Sequence, residues 1–372
     1  MRVTEIHLTN FRNYAIQQIE PGPMMNIIVG PNAQGKSNLL EAIYALTTTK
    51  SHRTNRDVDL IKVDTDACRI ACDLVRETQN DISLEMVLSR SEKKSVKINT
   101  VKHAKIADMI GQLNSVIFSA EDLAMIKGDP SERRRFLNLE VSQLSGQYIY
   151  ALGSYKRALV QRNALLKTLK ATGGSADTLS VWDEQLVTFG SIMLSWRAKF
   201  VGILAGLASP IHEQLTDGVE SLQIRYEPNV PVGDEDTVED ISSNFRNALA
   251  QVRGQELARG TTVKGPHRDD ISFVVNEMDV RYFGSQGQQR TAALAVKLAE
   301  IHLVQEMVGE SPVVLLDDVM AELDEKRRSH VFDLTCGQCQ TFASATSLDQ
   351  FSDEAIAEAT IFDVRKGQVT RR

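Results

Sequence analysis

One octapeptide constrains this chain of 372 residues more than any other stretch: Gly30-Pro31-Asn32-Ala33-Gln34-Gly35-Lys36-Ser37. A short apolar run, Met24 to Val29, precedes it with the length of a buried strand. Leu39, Leu40, Ile43 and Leu46 follow at helical spacing. Between a strand and a helix N-terminus, such a string is a phosphate-binding loop. Gly30 and Gly35 let the backbone curl so that successive N–H groups converge on an anion, a path that a Cβ would obstruct. Lys36 reaches the β and γ phosphates, Ser37 offers its hydroxyl to Mg²⁺, and the positive end of the helix faces the same charge. The expected nucleotide-binding residues therefore run from Gly30 to Asn38.

The chain carries a matching carboxylate. Val313-Val314-Leu315-Leu316 is an apolar run that ends in Asp317-Asp318. A carboxylate at the end of a buried strand beside a phosphate loop can hold Mg²⁺, so Ser37 and Asp317 are the expected metal ligands. Because Lys36 and Asp317 are far apart in sequence, the sheet must be assembled from both ends of the chain. A third element, Phe283-Gly284-Ser285-Gln286-Gly287-Gln288-Gln289-Arg290, leads into a helical stretch with Leu294, Leu298, Ile301 and Val304 on one face. Ser285, Gly287 and Gln288 thus offer a hydroxyl and free N–H groups at a second helix N-terminus. One nucleotide does not need two such cradles in one subunit. Across a two-fold axis, each of two ATP molecules would be held between the loop of one subunit and Ser285 of the other.

Composition narrows the class only a little. The length exceeds one ordinary core, so two lobes are expected. A hydrophobic share of 42% suits a globular protein. No uninterrupted apolar run of about 18 residues appears, and the N-terminus lacks the pattern of a secretory leader, so the expected location is the cytoplasm, with no membrane partner. The net charge of −7, from 42 Lys+Arg and 49 Asp+Glu, argues against a generic polyanion binder. Five of those acids fall within 234–240, however, and without them the balance is −2, which leaves room for local DNA-binding patches. Candidates are Arg53, Arg56, Lys93, Lys94, Lys105 and the run Arg133-Arg134-Arg135. Cys68 and Cys72 fall in one strand, too far apart to share a metal, and with Cys336 and Cys339 they are expected to be reduced structural thiols.

Along the chain, Val3, Ile6, Leu8 and Phe11 alternate as a half-buried first strand whose end carries Arg12, a cation within reach of a nucleotide in principle but more in keeping with a surface residue. Alternating segments at 67–76, 82–89 and 95–99 form an antiparallel meander. From Phe136 to about Lys170 an apolar stripe runs at helical spacing, the chain turns at 171–175, and a second stripe from Trp182 to Leu207 returns; we expect a helical hairpin. His267, within Gly265-Pro266-His267-Arg268-Asp269-Asp270, is more in keeping with structure than catalysis.

Taken together, NFRNY, GPNAQGKSNLLEAIY, SHR, GDPSERRRFL, KGPHRDD, GSQGQQR and LLDDVMAELDEKRR resemble, from end to end, the ATP-binding-cassette ATPases of DNA maintenance. That resemblance makes 30–37 the Walker A loop, Asp317 the end of Walker B, Ser285 to Gln289 the cassette signature, and Ala321-Glu322-Leu323-Asp324 the D-loop. It also implies ATP-dependent homodimerisation, binding of single-stranded and gapped or duplex DNA, slow DNA-stimulated ATP hydrolysis, and work beside recombination mediator proteins in recombinational repair, replication-fork recovery and SOS induction. Lys36 and Asp318 would be the catalytic residues. Asp318 stands where transporters have a glutamate, one methylene longer. Glu121 and Asp122 occupy the position of the Q-loop glutamine, and Ala345-Thr346-Ser347 lacks the switch histidine.

The expected fold is accordingly α/β, a phosphate-loop ATPase of cassette-head type. Lobe I, a mixed sheet, comprises 1–118 and 305–372; an inserted, mostly helical lobe II comprises 119–304. The alternative is the ATPase subunit of a membrane transporter. A small-molecule phosphotransferase leaves GSQGQQR without a task, and the helical hairpin is too short for a filamentous coiled coil.

Overall fold

The computed structural model describes residues 1–77, 80–173, 176–321, 323–335 and 337–372. The chain divides into two compact units: Met1–Leu123 with Pro210–Glu220 and Arg290–Arg372, and Ala124–Ser209 with Ser221–Gln289.

The first unit holds two six-stranded sheets. One is antiparallel, in the order Tyr14–Ile19, Arg2–Phe11, Ala67–Val75, Ile82–Ser89, Ser95–Ile98, Val101–His103. Its strands alternate as the sequence does, with Ile82, Leu84, Met86 and Leu88 buried and the residues between them half-buried. The other sheet has the order Gln368–Arg371, Thr360–Arg365, Met25–Val29, Thr341–Ala345, Val313–Leu316, Ser115–Phe118, and all but its first pair are parallel. Strands covered on both faces must be apolar throughout, and Met25–Val29, Val313–Leu316 and Ser115–Phe118 are buried at every position.

The sequence pointed to a single mixed sheet, whereas the first strand lies in the antiparallel sheet, apart from the strand that leads into the phosphate loop. Both hydrogen-bonding edges of Arg2–Phe11 are taken, by Tyr14–Ile19 and Ala67–Val75. The helix Lys36–Thr48 joins the two sheets into one core. Leu39, Ile43 and Leu46 share that core with Ile70 and Leu84 of one sheet and Ile28, Leu315 and Phe342 of the other. Each such side chain contributes about 1.5–3 kcal/mol by burial, which anchors the start of the helix under the phosphate loop.

In the second unit, helices Pro130–Leu144, Gly146–Thr172 and Val238–Arg259, with most of Ser180–Leu215, accompany a three-stranded antiparallel sheet. The apolar stripe from Phe136 is broken where Ser145 turns to an extended φ of −146° and its side chain caps Tyr148 N–H. Gly173 ends the following helix at φ 69°, and the expected turn at 174–175 lies outside the described residues. Among the described residues, the stretch Asp177–Leu215 is long and apolar enough to cross a membrane by length and composition alone, although charged residues interrupt its apolar run. A core helix passes the same test. Leu186, Leu194 and Phe200 are buried, and Arg197 in mid-helix is 1% exposed and paired with Asp269.

The helix Gln286–Val308 departs from its one-faced reading. Every residue from Thr291 to Ile301 is buried, and from Arg290 onward the helix belongs to the first unit. The boundary drawn at 304 from sequence therefore differs from the division of the structure. Alanines at 292, 293, 295 and 299 present no polar face to mark where the helix changes company.

Candidate nucleotide site

The phosphate loop is held from three sides within the first unit. Gly30 is glycine because the strand Thr360–Arg365 runs close beside it: a Cβ there would lie 2.3 Å from the carbonyl oxygen of Val364. Gly35, the residue before the helix, has φ 123°, a conformation that side chains rarely tolerate. Asn13 Nδ2 donates to Gln34 O at 2.7 Å and Tyr14 Oη to Gly35 O at 2.8 Å, so the turn after the first strand braces the loop's descending side. The C-terminal hairpin braces its crest, with Lys366 N–H on Gln34 Oε1 at 2.7 Å and Gly367 N–H on Gln34 O at 3.1 Å. Pro31, Asn32 and Ala33 stay exposed at that crest, with Ala33 at φ 62°.

Lys36 is 3% exposed, and its ammonium spans the loop, donating to Gly30 O at 2.9 Å and Pro31 O at 3.3 Å. Asn38 donates to Asn13 Oδ1 at 2.8 Å and accepts from Arg53 at 2.9 Å. Asp317 is set at the loop by strand register, its N–H donating to Phe118 O at 2.9 Å. Its carboxylate accepts from Ser344 Oγ at 2.9 Å and from the Ser37 hydroxyl. Burial raises the Asp317 pKa, opposed by these two hydroxyls and by the charge of Arg53, while neighbouring Asp318 adds to the rise. A Ser hydroxyl in contact with a half-buried carboxylate is an all-oxygen donor set, the kind that suits a hard divalent cation such as Mg²⁺. Asp318 has φ 54°, and its N–H donates to Ser344 Oγ at 2.8 Å. Ser344 was not among the residues singled out from sequence, because nothing local marks a serine in a buried strand as the link between two carboxylates.

The signature segment is a local cap in the second unit. Ser285 N–H donates to Gln288 Oε1 at 2.9 Å and Gln288 N–H to Ser285 Oγ at 3.2 Å, a reciprocal pair that opens the long helix. Ser285 and Gly287 are exposed. Of the D-loop, Glu322 lies outside the described residues; Asp324 accepts from Arg327 N–H at 2.9 Å, and Arg327 reaches Thr291 on the signature helix at 2.8 Å.

Several cations read from sequence as surface groups have structural partners. Arg12 forms a two-pronged pair with buried Glu41, at 2.8 and 2.6 Å, which also receives Ser51 and lies 3.5 Å from Arg53. Arg133 is 2% exposed and doubly bonded to Asp270, so as a DNA contact it is ruled out by burial; Arg134 donates to Asp269 O. Lys94 pairs with Asp57 and Arg56 with Asp59. Asp122, at the Q-loop position, caps Ser119 N–H, and burial pushes its pKa up to about 6. Cys68, Cys72 and Cys339 are buried free thiols, and Cys336 lies outside the described residues.

His267 belongs to the packing of the second unit. Its Nε2 lies 3.2 Å from Thr262 O, an acceptor only, so Nε2 carries the proton and Nδ1 accepts from Tyr155 Oη at 2.7 Å. Burial lowers its pKa to about 4 from an ordinary 6.5. Between those values the unfolded chain binds a proton that the folded chain does not. The contribution is therefore complete above pH 6.5 and is lost as pH falls toward 4, by up to about 3 kcal/mol. Asp122 acts in the opposite sense over an overlapping range, so the difference between wild type and His267→Gln isolates the histidine. Urea unfolding at pH 7 and pH 4.5 should give a difference that shrinks at the lower pH; a constant difference would remove this histidine from acid sensitivity.

A phosphate loop, a second carboxylate strand and a helical unit carrying the signature segment define an ATPase head of the ATP-binding-cassette type. Residues 2–368 match the RecF/RecN/SMC N terminal domain family. The order of motifs points within that class to RecF, and so do the relatives. DNA replication and repair protein RecF of Oceanobacillus iheyensis is 42% identical over 370 residues, covering 99% of this chain and 100% of the relative. Its counterpart in Bacillus mycoides is 43% identical, covering 99% and 98%. The chain belongs to the RecF family. Among solved structures, the recombination mediator protein RecF bound to ATP in the RecFOR pathway superposes with a TM-score of 0.92 at 33% identity, covering 100% of this chain and 97% of that one. The Smc head of Pyrococcus furiosus, at 18% identity and a TM-score of 0.56 over 100% of this chain and 95% of its own, shares the fold alone.

Proposed function

We propose that this chain is an ATP-dependent DNA-binding switch of recombinational repair, replication-fork recovery and SOS induction. Two copies close on two ATP molecules and reopen after slow, DNA-stimulated hydrolysis. The observation that carries the reading is the junction of Ser37, Asp317 and Ser344 beside a loop whose buried lysine holds its ammonium on the loop's own carbonyls. In it, Gly30 to Asn38 bind the triphosphate, Lys36 meets the β and γ phosphates, and Ser37 and Asp317 hold Mg²⁺, which supplies charge neutralisation when bound. Ser285, Gly287 and Gln288 of the opposite subunit meet the γ-phosphate. Nucleotide then acts as a ligand with higher affinity for the closed state, and DNA affinity follows closure. The partners are DNA, a second copy of the chain, and the mediator proteins RecR and RecO, in the cytoplasm. Membership of a repair family leaves the transporter alternative without support.

Asp318 is the proposed general base, oriented through Ser344. Asp318→Asn should slow ATP turnover by about 100-fold while prolonging the ATP-bound dimer. Unchanged turnover in a phosphate-release assay removes Asp318 from that role. The whole reading is tested by light scattering of the wild type with a non-hydrolysable ATP analogue, with and without DNA, at two salt concentrations. A chain that stays monomeric throughout is not such a switch.

A further inference from the structure

Immediately before the signature segment, two aromatic side chains stand in solvent. Tyr282 is 67% exposed and Phe283 71%, beside Met278 at 48%. Their rings meet edge to face, with centroids 6.3 Å apart, and the Arg281 guanidinium lies 5.0 Å from the Tyr282 ring centroid. The backbone beneath them is tightly held. Asp279 caps Arg281 N–H at 2.8 Å, and Val280 is 1% exposed. The Val280 carbonyl accepts from Gly284 N–H and from Gln289 Nε2, each at 3.1 Å. Gly284 packs so closely that a Cβ there would lie 2.6 Å from Val280. The rings and Ser285 are thus presented as one piece, not as a loose loop tip.

We propose that Tyr282 and Phe283 are the apolar part of the surface by which the signature end closes on a second copy of this chain. The inference rests on the trans arrangement above and adds what the phosphate-binding groups lack. Hydrogen bonds from Ser285 and its neighbours specify register on a triphosphate; a water-excluding contact beside them supplies holding power. Phe283 is two residues from Ser285, so its Cα is at most about 7 Å from that of Ser285, close enough for one docking surface to cover both. The facing surface on the second copy is the exposed crest Pro31-Asn32-Ala33. Aromatic residues are enriched at the centres of such contacts and depleted on surfaces that stay wet.

The test compares the full-length wild type with Tyr282→Ser/Phe283→Ser by analytical ultracentrifugation in a non-hydrolysable ATP analogue, with ATP affinity and melting temperature measured alongside. The variant should keep its ATP affinity and melting temperature, and its dimer dissociation constant should rise at least about tenfold. Tyr282→Phe, which keeps the ring, should dimerise as the wild type does. A wild type that dimerises and a double variant that dimerises equally well overturn the inference and leave the trans arrangement standing. The same holds if the variant loses only affinity for single-stranded DNA, which makes the rings a base-stacking surface. A monomeric wild type overturns the trans arrangement and this inference with it.

Discussion

Lys36→Met is expected to leave the fold intact and to abolish ATP-driven dimerisation. The lysine is buried in the loop, with its ammonium between the carbonyl oxygens of Gly30 and Pro31 at 2.9 and 3.3 Å. Methionine is nearly as long and apolar along its stem, so the helix beneath should still pack on Ile28 and Leu315. What is lost is the cation that turns from those carbonyls to a phosphate. Hydrogen bonds between charged groups contribute about 1.5–3 kcal/mol each, so ATP affinity should fall about 10- to 100-fold, and with it the closed state. A fluorescent ATP analogue measures the first and light scattering the second. An undiminished dimer in the variant would show that the triphosphate bridging two copies is not bound by this loop.

Ser285→Arg should separate the two steps that Lys36→Met removes together. Ser285 is exposed, and its hydroxyl caps Gln288 N–H, so the substitution costs about 1 kcal/mol of helix-end stability and leaves the phosphate loop untouched. A lone subunit should bind ATP with wild-type affinity. Closure should fail, with the dimer dissociation constant rising at least about 100-fold, because a long side chain replaces a small hydroxyl donor where the second subunit's phosphates are proposed to fit. Loss of ATP binding and dimerisation together would mean that Ser285 serves the nucleotide of its own subunit, and the trans arrangement would be wrong.

How far the site could be read from sequence depended on whether its chemistry is local. A glycine-rich string between a buried strand and a helix start is a local device, and so is a carboxylate at the end of an apolar run; both occupy the elements their patterns demanded. The meander at 67–75, 82–89 and 95–98 was legible for the same reason, since alternation is a property of neighbours in sequence. Arg12 and Arg133 were misread as surface charges because partners 29 and 137 residues away neutralise them, and no window along the chain contains both members of either pair. Asp269 shows the same limit. It looks like one acid in a polar turn, yet it receives Arg197, Tyr226 and the Asn229 N–H, and so ties together elements of the second unit.

By itself, then, the amino-acid order determined the cassette-head class, the glycine-rich turn between strand and helix, the carboxylate pair at the end of an apolar strand and the kinship with RecF, because each rests on short patterns of backbone freedom, charge and apolar spacing. Only the tertiary structure decided that the strands of the first unit form two sheets, that the signature helix is buried all round from Thr291 to Ile301, that Ser344 joins Asp317 to Asp318, and that Tyr282 and Phe283 stand in water. Those outcomes turn on which surfaces exclude solvent when distant segments meet, and burial is a property of the assembled chain that no stretch of it carries alone.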